Sequence, residues 1–306
     1  MRTNYLTKKD KESIETIVAS YKEVLKDAKD ASHDELVKAG TFVVNDYIES
    51  NPSLLDLSSL LFNPGTVNGD ILDVELGYGG IAYMHAIGSS AVLSQAYIDR
   101  VSTKLNRFSF ASKIDVNAVR TQNVVKLLED AAEIRFKLGL RKFKYIWELV
   151  KATITTGDPI YISAATVNKT NLDSIMATMQ DVSGSVNTII GRESLITQIM
   201  GFSGWSEATL REIEMGVFGQ YRGAKLIGLK DYRTIIVDAA GTKFETAQIP
   251  ADQLILLGEK AGYDGENPVQ TMAGQDVLLG AEVKNTFFDY AAIIVDEKKV
   301  GVYNIS

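Results

Sequence analysis

Gly77-Tyr78-Gly79-Gly80-Ile81-Ala82 follows the apolar run Ile71 to Leu76 and spells a G-x-G-x-x-A pattern. In a dinucleotide-binding unit such glycines let the backbone approach a pyrophosphate where a helix begins, within a βαβ unit of about 30 residues. Here the residues that follow alternate instead, with Ile81, Tyr83, His85 and Ile87 set against Ala82, Met84 and Ala86, which is a strand period. The loop is expected to be a glycine kink at the root of a hairpin, with no cofactor. Imidazole chemistry would have to use His33 and His85, and these fall in different segments. His33 sits in a helix-start pattern and His85 on an apolar strand face, so both are expected to be structural. Ser203 in Gly201-Phe202-Ser203-Gly204 is one residue short of a nucleophile elbow. Asp264 and Glu266 flank Gly265 without the further oxygens a calcium loop needs, and read as an ordinary turn. Asp70 and Asp73 read as solvated loop charge. Asn168-Lys169-Thr170 is a glycosylation sequon with no secretory route behind it. With no P-loop either, these residues assemble no catalytic, metal or cofactor site, and no enzyme is expected.

Composition narrows the remaining classes. The 306 residues suffice for two modest domains with a real core, and an apolar share of 45% with 23% charged is that of an ordered globular chain. A formal charge of −7 gives no footprint for tight binding to a phosphate backbone. Without cysteine there are no disulfides or thiolate metal sites, as expected of a chain made in a reducing cytosol. The charged start, Met1 to Glu12, lacks the apolar centre of a signal peptide, and no run approaches the length needed to span a membrane.

One element dominates the chain. From about Val119 to Ile154, apolar residues at Val124, Leu127, Leu128, Ala131, Ile134, Leu138, Phe143, Ile146, Val150 and Ile154 keep a helical period. Lys126, Glu129, Asp130, Glu133, Lys137, Arg141 and Lys144 fall between them, and Gly139 is the weak point. Before this helix, residues 1–69 read as a helical arm. Ile14, Ile17, Val18, Tyr21, Leu25 and Ala28 form one stripe; the capping-box pair Ser32 and Glu35 opens a second helix, which Asn51-Pro52 ends. Residues 70–115 read as an extended hairpin, in which Phe108, Phe110, Ser112, Ile114 and Val116 form the returning strand and Arg100, Lys104, Arg107 and Lys113 make it basic. A two-stranded ribbon is marginal in water by itself, so this one is expected to lean on something outside its own subunit. The long helix fills 116–157, and residues 158–285 alternate strand and helix after Gly157-Asp158-Pro159. Residues 286–306 read as two strands around Asp296-Glu297-Lys298-Lys299 that return beside the long helix.

Ile190-Gly191-Arg192, the segment Ser206-Glu207-Ala208-Thr209-Leu210-Arg211-Glu212-Ile213 and Gly219-Gln220-Tyr221-Arg222-Gly223-Ala224-Lys225-Leu226-Ile227 resemble the central domain of tailed-bacteriophage major capsid proteins. Ile249-Pro250-Ala251-Asp252 before Gln253 to Leu257 is similar to that family's Ile-Pro-x-Asp segment. The order of parts along nearly the whole chain also matches the Hong Kong 97 coat fold. The resemblance implies an α+β fold made of an N-terminal arm, an extended hairpin (E-loop), a spine helix with a sheet (P-domain) and a central α/β A-domain. The unusually helical arm departs from the pattern. It further implies a shell subunit whose main partner is itself, in hexamers and pentamers of a virion capsid made in the host cytoplasm. Portal, scaffold and decoration proteins are further partners, packaged DNA is touched only weakly, and no membrane is involved. The intersubunit contacts expected are Tyr83, Tyr97, Arg100, Lys104, Arg107 and Phe108 on the hairpin, with Tyr21 and Leu25 on the arm.

Two rivals remain: an encapsulin-type compartment of the same fold, and a nucleotide-binding enzyme using Gly77 to Ala82. Calorimetric titration with NAD or ATP is expected to show no binding heat, and a saturable heat would favour the enzyme.

Overall fold

The computed structural model describes residues 21–22, 26, 33–50, 57–78, 97–113, 119–121, 123–202, 219–229, 233–237, 243–247, 249–276 and 281–306. Helix α1 (His33–Ser50) leads through a helical turn to the short strands β1 (Phe62–Pro64) and β2 (Thr66–Asn68). β3 (Ile71–Tyr78), β4 (Tyr97–Lys104) and β5 (Asn106–Lys113) then precede the long helix α2 (Val124–Thr153). The remaining elements begin with β6 (Tyr161–Ala164), α3 (Lys169–Ser183), β7 (Thr188–Arg192) and α4 (Glu193–Met200). After β8 (Gln220–Tyr221) and β9 (Ala224–Leu229) comes a ribbon of β10 (Arg233–Val237) and β11 (Lys243–Ala247). β12 (Gln253–Leu257), β13 (Gly262–Glu266), β14 (Gln270–Asp276), β15 (Ala281–Ile294) and β16 (Val300–Ile305) complete the chain. The fold is α+β.

The expected stripe on α2 is the buried one, since Val124, Leu127, Leu128, Ala131, Ile134, Leu138, Phe143, Ile146 and Val150 all lie in the core. The helix starts later than the periodicity suggests because Asn123 caps it, its side chain accepting the Lys126 N–H at 3.3 Å. Val119, buried in the same core, precedes that cap.

Three bodies share the burial of this helix. α1 is one of them, placing Leu36, Val43, Val44 and Tyr47 in the core with α2, and the Arg135 guanidinium lies 5.3 Å from the Tyr47 ring. Residues 33–50, expected to belong to an arm, therefore pack on the body. Ser32, the other half of the expected capping box, lies outside the described residues.

A five-stranded sheet is the second body. β15 is its spine strand, pairing antiparallel with β5 along one edge and with β14 and β13 along the other, while β1 adds parallel to β13. The third is a mixed six-stranded sheet in the order β6-β16-β12-β7-β9-β8, carrying α3 and α4. β12 is buried at every position, as suits a central strand reading Gln-Leu-Ile-Leu-Leu.

Three expectations are corrected. β5 is not the returning strand of the hairpin: Phe108 faces Phe288 and Phe110 faces Thr286 on β15, because its aromatic face is drawn to the α2 core. The closing strand pair is split between sheets, β15 beside α2 and β16 between β6 and β12, with a 3-10 turn at Glu297–Lys299 turning the chain. Asp264, Gly265 and Glu266 do not form the expected turn, since they lie in β13, where Gly262 comes so close to β15 that a Cβ would collide with the Ile293 carbonyl oxygen. The sequon at Asn168 serves as a helix start, its side chain accepting the Asn171 N–H at 2.9 Å.

A buried polar relay fastens α2 to the central sheet. Trp147 Nε1 donates to Gln253 Oε1 at 2.9 Å, and Gln253 Nε2 donates to Asn304 Oδ1 at 3.1 Å, joining α2 to β12 and β16. Trp147→Phe leaves the buried Gln253 oxygen without this donor and is expected to cost about 2 kcal/mol in chemical denaturation, the usual penalty for an orphaned buried acceptor.

Candidate intersubunit surface

β3 and β4 form the stem of a hairpin, in register from Ile71 opposite Lys104 to Tyr78 opposite Tyr97. Gly77 therefore lies inside an antiparallel ladder, opposite Ile98, and not at the strand-to-helix turn of a parallel unit. Residues 79–82, with the rest of the glycine pattern, lie outside the described residues.

The alternation of β3 gives the stem two unlike faces. Leu72 and Val74 are buried with Ala291 in a small apolar cluster of their own, bordered by Val67, Leu105, Tyr263 and Ile293. Leu72 fits there because Gly65 and Gly265 have no side chain; a Cβ on Gly65 would lie 2.6 Å from Leu72 Cδ1, and one on Gly265 2.9 Å. The hairpin root is thus seated on the face of the five-stranded sheet that turns away from α2. Leu105 alone separates β4 from β5, and its N–H donates to the Asp70 carbonyl at 2.8 Å.

The other face is charged and open. Arg100 pairs with Glu75 directly across the ladder, Lys104 lies 3.8 Å from Asp70, and Asn68 donates to Asp73 at 2.9 Å. The Arg100 and Lys104 side chains stay 77% and 79% exposed, so these pairs hold the stem only weakly.

The remaining expected contacts divide by position. Phe108 is buried in its own chain, its ring 5.6 Å from Tyr145 and 5.3 Å from Phe288, with Tyr145 in turn 5.9 Å from Tyr290 in an edge-on packing. Its role is to dock the sheet on α2. Arg107 makes two bonds to Asp289, from Nε at 2.7 Å and from Nη2 at 2.9 Å, and its guanidinium lies 4.3 Å from the Phe287 ring centre. Tyr21 is also buried, with its hydroxyl donating to Asp46 on α1 at 2.5 Å; burial first and then the Asp46 carboxylate raise its phenol pKa. The arm stripe thus touches α1 at this residue. The Tyr97 backbone closes the stem opposite Tyr78, while Tyr83 and Leu25 lie outside the described residues.

Asp289 was not singled out from sequence, although alternation through Thr286, Phe288, Tyr290 and Ala292 places it opposite to the core side chains. Nor was Lys142, which reaches Glu266 at 2.8 Å and lies 4.5 Å from the Tyr290 ring, clamping α2 to the sheet. In the central domain, the Gly-x-Tyr-x-Gly segment is a two-residue turn joining β8 to β9, with Arg222 at φ 48° and Gly223 at φ 86°. The turn directs Tyr221 and Arg222 onto Asp173 of α3, at 2.5 and 2.8 Å.

No family model matches the chain, and no curated protein matches it. Solved structures do. One from Mycobacterium phage Bobi aligns with TM-score 0.54 at 8% identity, covering 83% of this chain and 90% of that one. The virus-like particle from Pyrococcus furiosus aligns with TM-score 0.52 at 9% identity, covering 87% and 98%. The mature capsid of bacteriophage PhiM1 gives 0.50 at 9%, covering 83% and 87%. At such identities the likeness is one of fold, and the fold is the Hong Kong 97-type coat fold of tailed-phage major capsid proteins.

The two bonds from Arg107 hold the Asp289 carboxyl below its ordinary pKa of 3.8. A carboxylate depressed in this way stabilises the folded chain above its unfolded pKa and loses that contribution as pH falls through the folded value. Below about pH 4, the wild-type thermal midpoint is therefore expected to fall more steeply than that of Asp289→Asn in parallel melts.

Proposed function

We propose that the chain is the major capsid subunit of a tailed phage, assembling into hexamers and pentamers of an icosahedral head around double-stranded DNA. The observation that carries this is the coat fold, extending over 83% of the chain in the alignment with the phage Bobi structure. A shell needs a stiff wedge and extensions that reach neighbours. α2 with its two sheets supplies the wedge, and the hairpin on its β3–β4 stem supplies an extension.

Contacts of the hairpin with the next copy are heterologous, so they close into rings, and each can be modest because many engage together. Arg100 and Lys104 are the stem side chains offered to a neighbour, and Tyr83 and Tyr97 are kept as proposed contacts. Leu25 is kept as an arm contact. Phe108, Arg107 and Tyr21 act by fixing the elements that carry those contacts. A net charge of −7 suits a container whose wall must not trap DNA as it enters. The working place is the virion. Portal, scaffold and decoration proteins are additional partners, and the chain performs no catalysis.

The same coat fold also fits a second reading, an encapsulin-type compartment that holds cargo protein. Negative-stain microscopy of the overexpressed chain is expected to show closed shells, and nucleic acid or co-purified protein inside them separates the two readings. Replacing the residues between Tyr78 and Tyr97 by a short glycine-serine turn is expected to leave a soluble monomer or lone capsomer. Shells of normal size after that change would refute the hairpin's role.

A further inference from the structure

Asn68-Gly69 is the one Asn-Gly pair in the chain. It lies at the turn from β2 to β3, where Asn68 faces Ile71 and leaves Gly69-Asp70 as a two-residue loop. Glycine in first place with φ 66° is the type II′ form of such a loop. Asn68, Gly69 and Asp70 are all exposed, and apart from its chain neighbours no described residue lies within 4 Å of where a Cβ on Gly69 would stand. The Asn68 carboxamide carbon is an electrophile, and the Gly69 nitrogen is a nucleophile one residue on. Their reaction closes a succinimide ring, which a glycine leaves unobstructed.

The resting turn holds these atoms apart. Asn68 Nδ2 donates to Asp73 Oδ2 at 2.9 Å. Asp73 stands opposite Thr66, so this bond draws the amide back along β2 and away from Gly69. The Gly69 carbonyl is tied as well, accepting from Asn267 Nδ2 at 3.2 Å. Both ties are exposed, and β2 is a three-residue strand at the edge of its sheet. Such an end opens locally at far less cost than global unfolding, while β3 stays seated through Leu72 and Val74.

We infer that Asn68-Gly69 is a self-modifying site, an intramolecular deamidation gated by the bond between Asn68 and Asp73. When the turn opens, the Gly69 nitrogen gives up its proton and attacks Asn68 Cγ. The new Cγ–N bond forms as the Cγ–Nδ2 bond breaks, and Nδ2 leaves with that proton as ammonia. Water then opens the succinimide at either carbonyl. Addition at Cγ gives an aspartyl residue; addition at the main-chain carbonyl gives an isoaspartyl residue, whose backbone runs through Cγ and is longer by one methylene. Nothing is oxidised or reduced. Either product adds a carboxylate to a turn that already carries Asp70, and removes the amide that donates to Asp73, so repulsion replaces a hydrogen bond. The isoaspartyl form also shifts the register between Asn68 and Ile71, beside the Leu72 that seats the stem. The change runs one way, and it loosens the hairpin root with age. It is a property of the single chain and does not depend on shell formation.

The full-length chain, kept folded in heavy-oxygen water and then mapped peptide by peptide in a mass spectrometer, tests the assignment. Asn68 is expected to exchange its amide for a labelled acid, at a rate that rises with pH, before the exposed Asn106 and Asn285 do so. Both aspartyl and isoaspartyl products are expected, because direct hydrolysis of the side chain yields the aspartyl form alone. Asp73→Ala is expected to speed formation of the isoaspartyl product about three- to ten-fold, the range for release of one exposed hydrogen bond. The wild-type chain unfolded in urea, where the turn no longer restrains Asn68, is expected to react faster than the folded chain.

An aspartyl product without its isomer overturns attack by Gly69. Equal rates in the wild type and Asp73→Ala overturn the gate. No product at Asn68 in the folded chain, by the time the unfolded chain has reacted fully, overturns the site.

Discussion

A helix of 30 residues is about 45 Å long, and its buried side is shared among α1 and two sheets. Its apolar stripe runs from Val124 to Val150 with Arg135 buried beside it, so it stays unburied unless several bodies are brought against it. Along its length Arg135 meets Tyr47 of α1, Tyr145 meets Phe108 and Tyr290 of the five-stranded sheet, and Trp147 meets Gln253 of the central sheet. The relative placement of the layers is the solution to that one burial problem. The sheets have no need of a large direct interface, because each is registered on the same rod.

What could be read in the sequence follows from how local its causes are. The α2 stripe was legible, because period and burial coincide within one stretch. The pairing of β5 was not. Phe108 and Phe110 alternate as any half-buried strand does, and nothing local tells whether the partner is the preceding strand or β15, more than 150 residues later. The same holds for the last two strands, whose residues read as a hairpin although a 3-10 turn sends them into different sheets. Asn168 carried two local meanings, sequon and helix cap, and the backbone after it decides for the cap.

The candidate surface was legible in its location but not in its division of labour. Residue type alone put Arg100, Lys104, Arg107 and Phe108 in one group as basic or aromatic positions on the hairpin. In the fold, Leu105 divides them. Arg100 and Lys104 remain on the open face of the stem, while Phe108 enters the α2 core and Arg107 is held by Asp289. Burial and a two-point ion pair make the latter two fixtures of the sheet. The weak surface pairs Arg100–Glu75 and Lys104–Asp70 leave the former two able to exchange partners.

The Leu105 joint has a mechanical consequence. With one residue between β4 and β5, and its amide tied to Asp70, the polypeptide has no slack there to take up a displacement. A tug on the outer end of the stem is passed straight into the β5–β15 ladder, and from there through the packed rings to the rod. Hairpin, sheet and rod then behave as a lever with a stiff elbow, so strain generated at one boundary of the molecule is felt along its whole length.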